Sequence, residues 1–129
     1  MENLIISGTK KTPAVFFSQD GKLHVQGRSI PEDPTVFYDR LYLWIYEYCQ
    51  HPAPQTEFDV HIEYFNSASS KSLLVLLREL TGINYNGYKV QINWHYEKED
   101  DDILERGEYY QNILDFKFNF IKEDQPPKV

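Results

Sequence analysis

Apolar and polar positions trade places along this chain with two different periods. From Glu57 to Phe65 they alternate: Phe58, Val60, Ile62 and Tyr64 fall on one side, and Asp59, His61 and Glu63 on the other. That period of two predicts a half-buried strand. Tyr88, Val90, Ile92 and Trp94 alternate against Lys89, Gln91 and Asn93, and Phe116, Phe118 and Phe120 against Lys117 and Asn119. Between these strands the spacing becomes three and four. Phe37, Leu41, Trp44, Ile45 and Tyr48 predict a helix over Thr35–Gln50, and Leu73, Leu76, Leu77 and Leu80 one over Ala68–Thr81. Ile103, Leu104, Tyr110, Ile113 and Leu114 predict a third over Asp101–Leu114. Pro34 suits a first helical turn, the Pro-rich stretch His51–Pro54 stops the first helix, and Gly82 suits the end of the second. Near the start, Val15–Ser18 and Lys22–Gln26 flank Asp20-Gly21, which supplies the positive φ of a tight hairpin turn. Gly27–Asp33 is then a connection.

The predicted order is β-β-α-β-α-β-α-β. Strand–helix–strand units require parallel pairing through crossovers. The strands alternate instead of being apolar throughout, so helices cover mainly one sheet face and the other stays polar. The expectation is one α/β domain over residues 1–129 with a mixed sheet. The polar segment Glu123–Val129, containing Pro126-Pro127, is expected to fray. This order and layering are similar to the STAS domain, the fold of anti-sigma-factor antagonists.

Composition narrows the functional classes. The 129 residues suit a single core, and 10 Tyr and 8 Phe supply apolar bulk without disulfides or metals. The lone Cys49 lies on an apolar helix stripe, where a thiol behaves as a small hydrophobe, and a reducing, cytoplasmic setting fits. A net charge of −7 argues against nucleic acid and against an anionic membrane surface as partners. No run approaches the ~20 apolar residues of a membrane span, and Met1–Lys11 has no apolar stretch of signal-peptide length.

Candidate chemistry concentrates at Asn66-Ser67-Ala68-Ser69-Ser70-Lys71, where a strand hands over to a helix. Two readings stand side by side. Asn and Ser are favoured N-caps because their side chains accept from the first helical N–H groups. Ser67 at a helix start is also a candidate phosphoacceptor, since unpaired N–H groups and the helix dipole tolerate an anion there. Ser69 and Ser70 are neighbouring hydroxyls, with Ser70 inside the first turn. Arg28, Ser29 and Glu32 occupy the preceding connection; Arg28 is suited to a phosphate or a partner carboxylate. The run Glu97–Asp102 reads as a solvated acidic helix start, without calcium-loop spacing. His24, His51, His61 and His95 show no metal-ligand spacing, no motif joins a nucleophile to a base, and no cofactor loop is present. Asp59, His61 and Glu63 read as an exposed sheet face.

Four segments together carry a family resemblance: Gly8–Pro13; Gly27–Glu32 followed by Phe37-Tyr38 and Trp44; Tyr64–Lys71; and Trp94-His95-Tyr96. In order and spacing the chain resembles the SiaC family of bacterial regulatory phosphoproteins over nearly its whole length. The resemblance implies a binding switch instead of an enzyme. A partner Ser/Thr kinase phosphorylates the residue after the junction Asn, here Ser67 where some members carry Thr, and a metal-dependent Ser/Thr phosphatase reverses it. The unmodified form binds and activates a diguanylate cyclase, raising cyclic di-GMP and favouring biofilm or aggregate formation. Arg28, Ser29, Glu32, Asn66, Ser69 and Lys71 are the expected partner-binding residues around Ser67. The alternative is a small-ligand or nucleotide sensor of the same fold without phospho-switching.

Overall fold

The computed structural model describes residues 1–126. Its elements run β1 (Leu4–Ile6), β2 (Ala14–Phe17), β3 (Lys22–Ser29), α1 (Pro34–Tyr48), β4 (Gln55–Phe65), α2 (Ser67–Gly82), a 3-10 turn (Ile83–Asn86), β5 (Lys89–Glu97), α3 (Asp101–Leu114) and β6 (Asn119–Glu123). The six strands form one sheet in chain order. β1, β2 and β3 pair antiparallel, and β3 through β6 pair parallel. Each parallel pair is bridged by one helix, as the alternating strand and helix periods predict.

The inward residues of the sheet, among them Val15, Phe17, Leu23, Val25, Phe58, Val60, Ile92 and Trp94, share one cluster with buried residues of all three helices. The predicted α2 stripe is buried in full. Asp33 caps α1 by accepting from the Val36 amide at 3.3 Å. Asp100 caps α3 by accepting from the Ile103 amide at 3.1 Å, so part of the acidic run does act as a helix cap. At the hairpin, Gly21 has φ +102°, and a Cβ there would lie 2.2 Å from the Gln55 carbonyl oxygen, so both conformation and space demand glycine. No helix is long and apolar enough to cross a membrane among the described residues.

Four expectations are corrected. The chain has an additional edge strand, β1, too short at three residues to show a period. Arg28 and Ser29 lie in β3, not in a connection. β6 starts three residues later than the Phe alternation indicates, because Phe118 is buried by stacking on Trp94 at 6.2 Å ahead of the strand. Glu123 closes β6 instead of starting a frayed tail; positions 127–129 of that tail lie outside the described residues.

Candidate functional site

The junction between β4 and α2 is set by a bulge. Gly27 pairs with Ile62, but Arg28 pairs with Tyr64, so Glu63 is an extra residue with no partner on β3. One extra residue reverses the facing of everything after it. Tyr64, expected on the core side, is therefore 52% exposed, while Phe65 turns inward against Trp94 at 6.5 Å. The turn is then fixed by Asn66. Its amide donates to the Ser29 carbonyl at 3.2 Å, its Oδ1 accepts from the Ser69 amide at 2.9 Å, and its carbonyl accepts from the Ser70 amide at 2.9 Å. Asn66 is thus the N-cap of α2, and Ser67 is its first helical residue.

Ser67 is exposed. The amides of Ser67 and Ala68 precede any helical carbonyl that they could bond. Hydroxyl accessibility and local positive potential therefore coincide at this position.

The neighbouring candidates separate by burial. Arg28 and Lys71 are exposed, and Asn66 is half-buried. Arg28, at the end of β3, is in register with Tyr64 and so stands at the same sheet edge as Ser67. Glu32 is exposed and pairs with Lys11 at 3.3 Å; the Ile30 amide donates to the Lys11 carbonyl at 2.8 Å. These bonds join Gly8–Pro13 to Gly27–Glu32, two of the segments that carried the resemblance. Ser29 and Ser69 are fully buried, so neither hydroxyl is available to a docking protein, contrary to expectation. Ser29 Oγ bonds the Tyr38 hydroxyl, whose pKa burial pushes up. Ser69 Oγ, though near Tyr38, is not in hydrogen-bonding geometry with any partner.

Ser70 is also buried, and its role is to join helices. Tyr110 Oη donates to the Ser70 carbonyl at 2.6 Å. A phenol has one proton, so the 2.7 Å contact between the two hydroxyls runs from Ser70 Oγ to Tyr110. Burial pushes the Tyr110 pKa up to about 12. α3 is further fixed by Trp94, whose Nε1 donates to the Ile103 carbonyl at 2.8 Å. Gly107 allows this approach, since a Cβ there would fall 2.5 Å from the indole. The result is a cleft of about 240 Å3 between α2 and α3, lined by Ser67, Ser70, Lys71, Leu74, Arg106, Tyr109 and Tyr110. Sequence reasoning singles out neither Arg106 nor Tyr110. An exposed Arg and a stripe Tyr carry no local mark, and only tertiary packing brings them to Ser67.

The uncovered sheet face holds a second cluster, on the face where only exposed side chains are expected. His95 is clamped by Asp59 Oδ1 at Nε2 and by Glu123 Oε1 at Nδ1, both at 2.7 Å. His61 stacks on it with ring centres 5.4 Å apart. Burial, then the neighbouring His95, lowers the His61 pKa. With His24 and Phe16 these groups line a shallow depression of about 380 Å3. Cys49 is half-buried, and burial followed by the Glu79 carboxylate raises its thiol pKa to about 11, which keeps it in the unreactive thiol form.

The family model for the SiaC family regulatory phosphoprotein matches residues 6–123. An uncharacterized protein of Pseudomonas aeruginosa strain UCBPP-PA14 is 28% identical over 126 residues, covering 97% of this chain and all of that protein. The crystal structure of apo-SiaC from Pseudomonas aeruginosa superposes with a TM-score of 0.84 at 27% identity, covering 94% of this chain and 99% of that one. A crystal structure from the same organism, of the diguanylate cyclase SiaD with its activator SiaC, contains a chain that superposes with a TM-score of 0.86 at 26% identity, covering 93% and 99%.

Proposed function

The chain belongs to the SiaC family of regulatory phosphoproteins, and on that premise we propose that it is a binding module controlled by phosphorylation of Ser67. With Ser67 bare it docks on a diguanylate cyclase and activates it, as the activator in the similar complex does for SiaD. With Ser67 phosphorylated it lets go. A Ser/Thr kinase adds the group and a metal-dependent Ser/Thr phosphatase removes it, so cyclic di-GMP output and the biofilm state follow the balance of the two. The chain acts by binding in the cytoplasm and catalyses nothing itself.

The observation that carries this reading is the exposed hydroxyl of Ser67 on the first helical residue after a capped turn. Of the three hydroxyls at this junction, Ser69 and Ser70 are buried. A kinase needs the hydroxyl in solvent, and only Ser67 offers it there. Arg28, Glu32, Asn66 and Lys71 form the docking rim around it. Phosphorylation adds about −1.5 to −2 charges at neutral pH. A partner packed flush over Ser67 must then strip water from an unpaired anion, at a cost of several kcal/mol. Since about 1.4 kcal/mol is tenfold in affinity, that suffices to dissolve a micromolar complex.

The test is calorimetric binding of the cognate cyclase to three forms: wild type, Ser67→Ala, and protein carrying phosphoserine at position 67. We expect Ser67→Ala to bind like wild type and to support cyclic di-GMP synthesis, and the phosphoserine form to bind about 100-fold more weakly, equivalent to about 2.7 kcal/mol. Equal affinity for the last two would remove the switch.

A further inference from the structure

The cleft beside Ser67 carries two cations from two helices. Lys71 lies four residues beyond Ser67, on the same face of α2. Arg106 comes from α3 across the gap. Neither Lys71 nor Arg106 forms a salt bridge among the described residues, as is true of most Lys and Arg side chains there. Arg106 also lines a separate depression with Asp102 and Glu105, but the lining of the cleft beside Ser67 contains no carboxylate, so the charge it presents to the exposed serine is cationic.

The framework around them is firm. The guanidinium carbon of Arg106 stands 5.7 Å from the centre of the Tyr109 ring, which holds it against the cleft wall. One turn further along α3, Tyr110 is bonded to both the carbonyl and the hydroxyl of Ser70. Next to Arg106, Gly107 seats α3 on Trp94. The separation of the α2 and α3 backbones that carry Lys71 and Arg106 is therefore set by buried contacts.

We propose that this cleft receives the phosphoryl group of modified Ser67, held by the Lys71 ammonium and the Arg106 guanidinium so that phosphorylation bridges α2 to α3. The inference rests on Ser67 as the phosphoacceptor and adds the residues that receive the group. A guanidinium presents paired N–H donors that match two phosphate oxygens, and an ammonium supplies a point charge. Phosphorylation then changes the docking surface twice. It adds an anion, and it takes two cations away from any partner carboxylate that met them in the unmodified state.

Phosphoserine installed at position 67 by genetic code expansion supplies the phosphoprotein without any kinase, and phosphorus-31 NMR reads its second ionisation. Free phosphoserine titrates near pH ~6. Cations in contact hold a phosphate in its dianionic form, so the wild-type phosphoprotein is expected to titrate about one unit below the Lys71→Gln/Arg106→Gln double variant. Both side chains are exposed, so the double variant keeps its fold, which a circular-dichroism melt verifies. Coincident titration curves would overturn the proposal. Cyclase binding by the wild-type phosphoprotein is measured separately. A phosphoprotein that binds as tightly as the unmodified chain defeats the switch, while the titration alone decides the cleft.

Discussion

Three serines in four positions have three different fates, and the difference lies in what each hydroxyl meets. Ser67 meets solvent, Ser69 meets the core without a partner, and Ser70 meets Tyr110. A buried hydroxyl without a hydrogen bond is destabilising, whereas a paired one is roughly balanced or favourable. Ser69→Ala is therefore expected to leave stability unchanged or raise it by up to about 1 kcal/mol. Tyr110→Phe keeps the ring against Trp94 but removes the side-chain donor to the Ser70 carbonyl and the acceptor for Ser70 Oγ, and is expected to cost about 1–3 kcal/mol. Urea unfolding of both variants checks the contrast. A Ser69→Ala loss as large as that of Tyr110→Phe would mean that Ser69 has a partner after all. The same contrast limits the switch: with Ser69 and Ser70 enclosed, a kinase acting on the folded protein reaches one hydroxyl at this junction.

Elements show what periodicity does and does not reveal. The α2 stripe, the α3 boundaries and the parallel pairing were legible because apolar side chains recur wherever an element faces the core. The upper end of β3 was not, since its inward positions are Gly27 and Ser29, whose burial leaves no apolar mark. Tyr64 continued an alternation that the Glu63 bulge interrupts, and a bulge is a property of the pairing between strands, invisible in either strand alone. Phe118, ahead of β6, recorded packing on Trp94 and not ladder hydrogen bonds. The junction serine itself could be picked out from strand and helix periods, but Arg106 and Tyr110 needed the third dimension. β6 supplies the prediction at this scale. It is an edge strand with exposed Ile121 and Lys122, and its end is tied to the sheet by Glu123 through His95. The Glu123 carboxylate is about a third exposed, so the tie is expected to contribute about 1 kcal/mol or less. That is still large for a five-residue edge strand. In Glu123→Ala the amides of β6 should exchange with deuterium about fivefold faster at neutral pH, with β4 unchanged. Unaltered exchange in β6 would show that the backbone ladder alone holds the strand.

At the scale of the molecule, the two tryptophans report on opposite ends of one core. Trp44 of α1 stacks on Tyr48 and touches Phe17, and its Nε1 donates to the Glu2 carbonyl at 2.7 Å. Trp94 of β5 lies among Phe65, Tyr110 and Phe118, beneath the Ser67 junction. All of these rings except Phe65 belong to the buried cluster, and Phe65 packs against it. A single continuous core in a chain of this size unfolds as one cooperative unit. Single-tryptophan proteins made by Trp44→Phe and by Trp94→Phe should therefore each give a fluorescence midpoint in urea that matches the loss of helical circular dichroism in the same protein, with m of about 1–3 kcal/mol/M. A Trp94 signal that changes before the helices melt would mean that the α3 side opens by itself. The distinction reaches function. If the domain is one unit, a phosphoryl group on Ser67 cannot act by loosening the fold, because its few kcal/mol fall on surface groups while the core stays intact. It acts by what it presents to, and withholds from, a docking partner. If instead α3 opens independently, the phosphate-bridged gap between α2 and α3 becomes a latch, and the affinity of the cyclase would follow the opening equilibrium of α3 and not the charge on Ser67.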